Sequence, residues 1–261
     1  MLRAGLDLTD DADLALVAAS HSGEGSHVER VRAMLGRAGL DETALACPPD
    51  LPLADDARVA ALCNGGASRL YMNCSGKHSG MLLTCLAAGW STVDYLAPAH
   101  PLQQACRDTL EEFTGESVAG VGVDGCGAPL FATSLTGLAR AFLACVQAES
   151  GTPQRRVADA MRAHPELMSG TGREDARLIR ALPGLLSKSG AEGVGAVAVP
   201  GVGAVAVKID DGAARARMPV LLPALSSLGI TVEGLDDLTQ TPVLGGGRQV
   251  GAVRALLWHR P

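Results

Sequence analysis

The chain has very little lysine. Of its 22 lysine and arginine residues, only Lys77, Lys188 and Lys208 are lysines. Arginine stays charged in proteins, whereas a desolvated lysine loses its proton and serves as a base or a ligand. Lys77 and Lys188 lie in short motifs rich in glycine and serine, and Lys208 lies in an ordinary predicted strand. The pattern indicates chemistry that needs an amine at the first two positions, with chance placement of three residues as the alternative.

Other features that are scarce exclude whole classes of protein. Aromatic residues make up only 3% of the 261 residues, and the net charge is −6 without a basic stripe, which argues against nucleic-acid binding. No apolar run reaches the length of a membrane span, and the first residues lack the apolar core of a signal peptide. We therefore predict a cytoplasmic protein. Its seven scattered cysteines do not form a disulfide framework.

The sequence pattern predicts an α+β fold in a single domain, residues 1–261. Helical periodicity dominates the first two thirds, and β-rich runs follow Lys188. We predict helices over 10–19, 24–37, 55–63, 77–88, 101–113, 134–148, 153–163 and 213–228, and strand-like segments at 70–72, 117–123, 194–199 and 204–209. The Pro-Gly connection at 200–203 predicts a hairpin, and an irregular tail with a short terminal strand follows residue 232. Helices first and strands last favour helices packed on an antiparallel sheet.

Two cysteine motifs are candidates for a site. Residues 73–78 read Asn-Cys-Ser-Gly-Lys-His and open a helix, which places Cys74 and Lys77 toward one point. Residues 124–127, Asp-Gly-Cys-Gly, form a tight turn at the end of a strand, where ligands often bind. Cys74 and Cys126 are half of a possible metal site, although structural zinc sites use four ligands. The alternative is a helix cap and buried thiols that only fill the core.

Two serine motifs suggest acyl-transfer chemistry. Residues 20–24, Ser-His-Ser-Gly-Glu, form either an active-site turn or a cap for the following helix. Residues 188–190, Lys-Ser-Gly, resemble the last motif of serine β-lactamases and penicillin-binding proteins, in which a serine is paired with an amine. The first motif of those enzymes, Ser-x-x-Lys, is absent, because the residues three before the lysines are Cys74, Leu185 and Val205. A penicillin-interacting protein is therefore a second reading.

Five motifs in order resemble the rhizobial-type, class 3 L-asparaginases, the L-asparaginase II family. They occupy residues 19–24, 73–78, 123–129, 168–173 and 188–193, and the resemblance runs from residue 1 to about residue 230. It implies a fold similar to serine β-lactamases and glutaminases, and a homodimer that hydrolyses L-asparagine to L-aspartate and ammonia.

The resemblance also implies roles for individual residues. Ser20 and Lys188 would form a Ser–Lys pair, with Ser20 as nucleophile or proton shuttle. Cys74, Lys77 and Cys126 would bind a zinc ion near the substrate, and His78 and Asp124 would line the substrate site.

The sequence departs from the family at its start. The family's other Ser–Lys tandem, a Ser-x-x-Lys helix, and the first strands would precede Met1, so we expect the natural protein to carry further residues upstream. The rival expectation is an inactive remnant that binds zinc or asparagine without turnover.

Overall fold

The structure, a computed structural model, describes residues 1–256. Within that range, ten helices and seven strands follow one another. Their bounds are α1 Asp11–Val17, α2 Gly25–Arg37, α3 Asp55–Cys63, α4 Ser75–Ala88, α5 Pro101–Thr114, β1 Val121–Val123, β2 Pro129–Phe131, α6 Leu135–Gln147, α7 Pro153–Ala163, α8 Pro165–Met168, α9 Glu174–Ala181, β3 Leu186–Ser189, β4 Val194–Val199, β5 Gly203–Lys208, α10 Arg217–Ser227, β6 Thr241–Gly245 and β7 Arg248–Val253.

Local signals in the sequence set several helix ends. The Asp10 carboxylate accepts a hydrogen bond from the backbone N–H of Ala12, and the Ser134 hydroxyl accepts one from Gly137. Helices α5 and α7 begin with proline, whose missing N–H costs nothing in the first turn. The predictions for α3 and α7 are confirmed to the residue, and α1, α2, α4, α5 and α6 lie within three residues of their predicted ends.

The main sheet is antiparallel, in the order β3-β4-β5. Lys188 of β3 lies opposite Ala196 of β4, and Val197 lies opposite Val205 of β5. Strand β4 is almost entirely buried, and α6 and α10 both pack on β4 and β5. The predicted α+β class, with helices on an antiparallel sheet, is confirmed. The finer expectation of a fold like that of serine β-lactamases and glutaminases stays a prediction.

Some predicted elements were wrong. Residues 70–72 form turns instead of a strand, because the N–H of Tyr71 bonds locally to Ser68 and that of Ser75 to Met72. The segment predicted as a strand over 117–123 shortens to β1. The tail forms the hairpin β6–β7, of which only a terminal strand was predicted, and helices α8 and α9 were not predicted. The last five residues of the predicted domain lie outside the described range.

Close contact between α1 and α4 brings two of the sequence motifs together. A Cβ on Gly76 would lie 2.4 Å from the carbonyl oxygen of Leu16, and one on Gly80 would lie 2.5 Å from the side chain of Val17. Only glycine allows the two helices to approach so closely. The segment that follows α1, with Ser20, therefore runs beside Cys74 at the start of α4.

None of the helices within residues 1–256 combines the length and the apolarity that crossing a bilayer requires.

Candidate active site

Ser20 and Lys188 are in contact although 168 positions separate them. Ser20 follows α1, where its backbone N–H bonds to the carbonyl of Met168, and Lys188 projects from the middle of β3. The Lys188 Nζ donates a hydrogen bond of 2.9 Å to the Ser20 Oγ and one of 2.8 Å to the carbonyl oxygen of Ser189. A serine hydroxyl and a lysine amine are thus held in proton-transfer range by two backbone segments.

The surroundings of Lys188 favour its neutral form. Burial lowers the pKa of its amine, because a charged ammonium loses hydration away from solvent. The negative charge of Asp175 opposes this shift, and the positive charges of Arg173 and Lys77 add to it. The net pKa lies below that of an ordinary lysine. A lysine with a lowered pKa beside a serine is the pairing that activates a hydroxyl nucleophile.

His21 connects the serine segment to the start of α4. Its backbone N–H donates to the carbonyl of Asn73 at 2.9 Å, and its Nε2 lies 2.9 Å from the Ser75 hydroxyl. Because its Nδ1 accepts from the N–H of Gly23, the proton of the neutral ring belongs on Nε2. Burial lowers the pKa of His21 to about 3, so the ring is a fixed neutral connector.

Cys74, Lys77, Asp124 and Cys126 form a second cluster, next to the first. The sulfur atoms of Cys74 and Cys126 and a carboxylate oxygen of Asp124 all lie within 4.8 Å of one another. The Lys77 Nζ lies 3.2 Å from the Cys126 Sγ and 3.6 Å from the Asp124 Oδ2. The tight turn between β1 and β2 supplies Asp124 and Cys126. Gly127, at a φ of +86°, allows the backbone to make this turn.

The pKa values of the two thiols of this cluster shift in opposite directions. The hydrogen bond with Cys74 is the largest cause that lowers the pKa of Cys126, and His78 and Lys77 lower it further. The same hydrogen bond and burial raise the pKa of Cys74. Burial would lower the pKa of Lys77, but the neighbouring sulfurs and Asp124 raise it overall. These shifts favour the deprotonated form of Cys126 and the protonated form of Lys77.

His78 lies beneath this cluster and is fully buried. Its Nδ1 is 2.7 Å from the Tyr95 hydroxyl. That hydroxyl accepts from the N–H of Ala46, so its own proton points to His78. The Nε2 proton then faces the Cys126 side, and within residues 1–256 this nitrogen makes no hydrogen bond of ordinary geometry. His78 is thus buried between Tyr95 and Cys126 and acts on the cysteine cluster through Cys126.

A third motif borders the Ser–Lys pair. The Glu24 carboxylate accepts hydrogen bonds from the Thr171 N–H at 2.8 Å and the Thr171 hydroxyl at 2.7 Å, and also binds the Ser22 hydroxyl. Gly170 has a φ of +155°, and a Cβ there would lie 2.2 Å from the Ser22 Oγ. Glu24 thus fastens the loop at 168–173 over the serine turn, so this motif builds a wall of the site.

The structure brings together all seven residues singled out from the sequence, in two adjoining groups. Ser20 and Lys188 form one pair, and Cys74, Lys77, Asp124 and Cys126 form the cluster above His78. The positive charge of Lys77 also acts on Lys188, so the two groups are electrostatically coupled. Their roles in catalysis, substrate binding or metal binding stay predictions.

Two buried residues of the site were missed from the sequence. Tyr95 fixes His78, and Asp175 accepts hydrogen bonds from Ser187 and Ser189 on either side of Lys188. Nothing in the sequence around Tyr95 points to the cysteines. Asp175 carried a usable signal, because two acidic residues after Gly172 begin a run with the apolar spacing of a helix.

Comparison with known proteins agrees with the motifs. A family model described as L-asparaginase II matches residues 1–255. Among curated proteins, none matches the chain.

Proposed function

Because the chain belongs to the L-asparaginase II family, we propose that it is an amidohydrolase that converts L-asparagine and water to L-aspartate and ammonia, with Ser20 and Lys188 as catalytic residues. The observation that carries this proposal is the 2.9 Å contact between the Lys188 Nζ and the Ser20 Oγ. Within residues 1–256 it is the one hydrogen bond between a lysine and a serine side chain. The lowered pKa of Lys188 supports it, since a base must be neutral before it accepts a proton.

Acylation begins with neutral Lys188. One of its two N–H bonds stays on the Ser189 carbonyl, and its lone pair turns to the Ser20 hydroxyl across the same 2.9 Å. The hydroxyl proton passes to the Lys188 Nζ as the Ser20 Oγ bonds to the carbon of the side-chain amide. The C–N bond then breaks, the leaving nitrogen takes the proton from Lys188, and ammonia departs.

Hydrolysis of the acyl-enzyme uses the same two residues. Water attacks the ester carbon and gives one proton to Lys188, which returns it to the Ser20 oxygen as the acyl bond breaks. The product is the aspartate side chain, and both residues end in their starting forms. One amine of intermediate proton affinity serves both halves of the cycle.

Asp124 and His78 are proposed to line the substrate site. The Asp124 side chain is about one-third exposed, so an incoming ligand reaches its carboxylate. The negative charge of Asp124 suits the α-ammonium group of an amino acid. The Lys77 ammonium, 3.6 Å from the Asp124 Oδ2, occupies a comparable position beside this carboxylate. His78 is fully buried and shapes the site through Cys126.

The residues of the second cluster fit a zinc ion. Two cysteine sulfurs and a carboxylate oxygen within 4.8 Å of one another are a donor set of the kind that zinc prefers. The Lys77 amine, 3.2 Å from one sulfur, joins this set once it has lost its proton to solvent. We propose that Cys74, Lys77 and Cys126 hold zinc, with Asp124 beside them. When bound, zinc would supply Lewis acidity and a fixed positive charge next to the substrate.

The remaining features of the proposal come from the resemblance to class 3 asparaginases. They are a cytoplasmic homodimer and a fold like that of the serine β-lactamases and glutaminases. Size-exclusion chromatography with light scattering tests the dimer directly.

Ammonia release from L-asparagine by the purified 261-residue chain tests the function, with circular dichroism to establish folding. Activity that disappears in Ser20→Ala but persists in Ser226→Ala, a serine on α10 bonded to its own helix, supports the Ser–Lys pair. A folded chain that releases no ammonia contradicts the proposal and favours an inactive, ligand-binding protein. Acylation of Ser20 by a labelled penicillin would instead favour a penicillin-interacting protein.

A further inference from the structure

Strand β3 carries Lys188 and pairs, within residues 1–256, with β4 alone. The N–H of Gly190 donates to Val194 across from β3 at 2.9 Å. Because N–H groups alternate in direction along an antiparallel strand, the N–H of Ser189 points to the opposite, open edge. There it needs a partner other than a strand, and the Asp175 Oδ2 accepts it at 3.0 Å.

The same carboxylate also holds the residue before Lys188. The Asp175 Oδ1 accepts a hydrogen bond of 2.6 Å from the Ser187 hydroxyl. Asp175 is only 4% exposed and lies in the first turn of α9, where the helix dipole favours a negative charge. Both of its oxygens are therefore committed to the two neighbours of a single lysine.

This arrangement fixes the direction of the Lys188 side chain. Successive side chains of a strand point to opposite faces, so Lys188 leaves β3 on the face away from Ser187 and Ser189. Holding both neighbours prevents the strand from twisting about Lys188. The amine is then aimed at the Ser20 hydroxyl and the Ser189 carbonyl.

We propose that Asp175 is a positioning residue, which clamps β3 on both sides of Lys188 and sets the charge around its amine. The proposal deepens the function proposed above, on which its catalytic meaning depends. No feature of the sequence motifs assigns this aspartate a role.

Charge is the second part of the role. Burial, Arg173 and Lys77 all favour neutral Lys188, whereas Asp175 and Cys74 favour the protonated form. Asp175 is the largest of the charges that act on Lys188. The charge of Asp175 thus keeps the buried amine basic enough to accept the serine proton, which a weaker base would accept poorly.

Three variants separate the clamp from the charge. In Asp175→Asn the amide oxygen still accepts from the Ser189 N–H and the amide NH2 donates to the Ser187 Oγ, so both hydrogen bonds persist without the charge. Asp175→Ala removes the hydrogen bonds and the charge together. Ser187→Ala removes one of the two hydrogen bonds and keeps the charge, so it reports the clamp without the charge.

The expected results differ for each variant. In Asp175→Asn, the acid limb of the pH profile of kcat/KM moves to lower pH, since Lys188 loses the largest charge that favours its protonated form. In Asp175→Ala, kcat falls at least about tenfold while KM changes less than about twofold. The reason is that the loss of the clamp misaligns Lys188 and Ser20 but leaves substrate binding intact. Ser187→Ala loses one of the two hydrogen bonds but keeps the charge, so kcat falls less than in Asp175→Ala and the pH profile stays in place.

A spectroscopic titration provides a readout that needs no activity. The chain has three lysines, so labelling lysine Cε with ¹³C gives three side-chain signals, which Lys208→Arg and Lys188→Arg assign. We expect the Lys188 midpoint to fall in Asp175→Asn and to stay in place in Ser187→Ala. An unchanged midpoint in Asp175→Asn overturns the proposal, as does an equal loss of kcat in Ser187→Ala and Asp175→Ala. A lowered Lys188 midpoint in Asp175→Asn, together with no ammonia release by the unaltered chain, would contradict the proposed function but support the action of Asp175 on Lys188.

Discussion

The backbone N–H of His21 donates to the carbonyl oxygen of Asn73 at 2.9 Å. This bond joins the residue after Ser20 to the residue before Cys74. The serine of one group and a cysteine of the other are thus each one peptide unit from the same hydrogen bond. The positive charge of Lys77 also acts on Lys188, so a change in the cysteine cluster alters the proton affinity of the amine.

The first prediction concerns the chemistry of Lys188. Lys188→Arg keeps a positive charge but removes the amine that becomes neutral, because arginine does not lose its proton in proteins. If Lys188 is the base, kcat/KM for L-asparagine should fall by about 100-fold or more. Ammonia release under steady-state conditions measures it.

Lys208→Arg is the matched control for this substitution. Lys208 is exposed, and among residues 1–256 its side chain bonds only to the carbonyl of Ile209, so its replacement should leave kcat/KM within about twofold. Equal activity in Lys188→Arg and the unaltered protein would exclude Lys188 as a base.

The second prediction concerns metal. Protein purified without chelators should contain about one zinc ion per chain, measured by inductively coupled plasma mass spectrometry. Cys126→Ser should abolish the zinc, because a hydroxyl replaces the thiolate at the centre of the donor set. The exposed thiol of Cys63 lies on α3, so Cys63→Ser should retain the metal.

Removal of the metal provides a second measurement. Dialysis against a chelator should lower the midpoint of thermal unfolding of the unaltered protein and of Cys63→Ser, but not that of Cys126→Ser. A folded, zinc-free protein from zinc-containing medium would argue against the site.

The sequence predicted most of the fold because its helix ends carry strong local signals. Proline at the first positions of α5 and α7 and glycine after α5 mark those helices without any tertiary contact. The strand predicted at residues 70–72 was wrong because a run of three apolar residues occurs in strands and in buried turns alike. Hairpin β6–β7 was incompletely predicted because its side chains are exposed and its pattern lacks a buried face.

The candidate site was predicted through its motifs and not through its geometry. Glycine and serine beside Lys77 and Lys188 marked both lysines as unusual, but no local pattern reports that Lys188 reaches Ser20 across 168 positions. Asp175 and Tyr95 act through contacts between distant segments. Their roles follow from the packing of α9 on β3 and from the fold around α4, which short-range sequence patterns do not encode.

The third prediction concerns acid stability. His21 and His27 stack with ring centres 5.0 Å apart, both are buried, and burial lowers the pKa of each, to about 3 for His21. The unfolded chain binds both protons below about pH 6.5, whereas native His21 stays neutral and native His27 binds its proton less readily, so the free energy of unfolding falls as pH drops below that value. From urea unfolding between pH 7.5 and pH 5.5, we expect a loss of about 1.4 kcal/mol from His21 and a further loss of the same sign from His27.

This pH window separates the histidines from the carboxylates. Asp and Glu side chains stay ionised above about pH 5 in both states and contribute little there. Proton NMR should find the ring signals of His21 unchanged down to pH 5.5. A free energy of unfolding that is flat from pH 7.5 to pH 5.5 would contradict the neutral, buried histidine pair.

The last prediction tests the contact that sets the two motifs side by side. In Gly76→Ala the new methyl group would lie 2.4 Å from the carbonyl oxygen of Leu16, so α4 must move away from α1. We expect a loss of about 1–3 kcal/mol in the free energy of unfolding, as for other overpacked cores. Activity should fall as well, since the displaced α4 carries Cys74 and Lys77 away from Ser20.

Gly36→Ala, on an exposed face of α2 with nothing within 4 Å among the described residues, should instead raise stability by about 0.5–1 kcal/mol. Equal unfolding midpoints for the two variants would mean that α1 and α4 do not meet at Gly76.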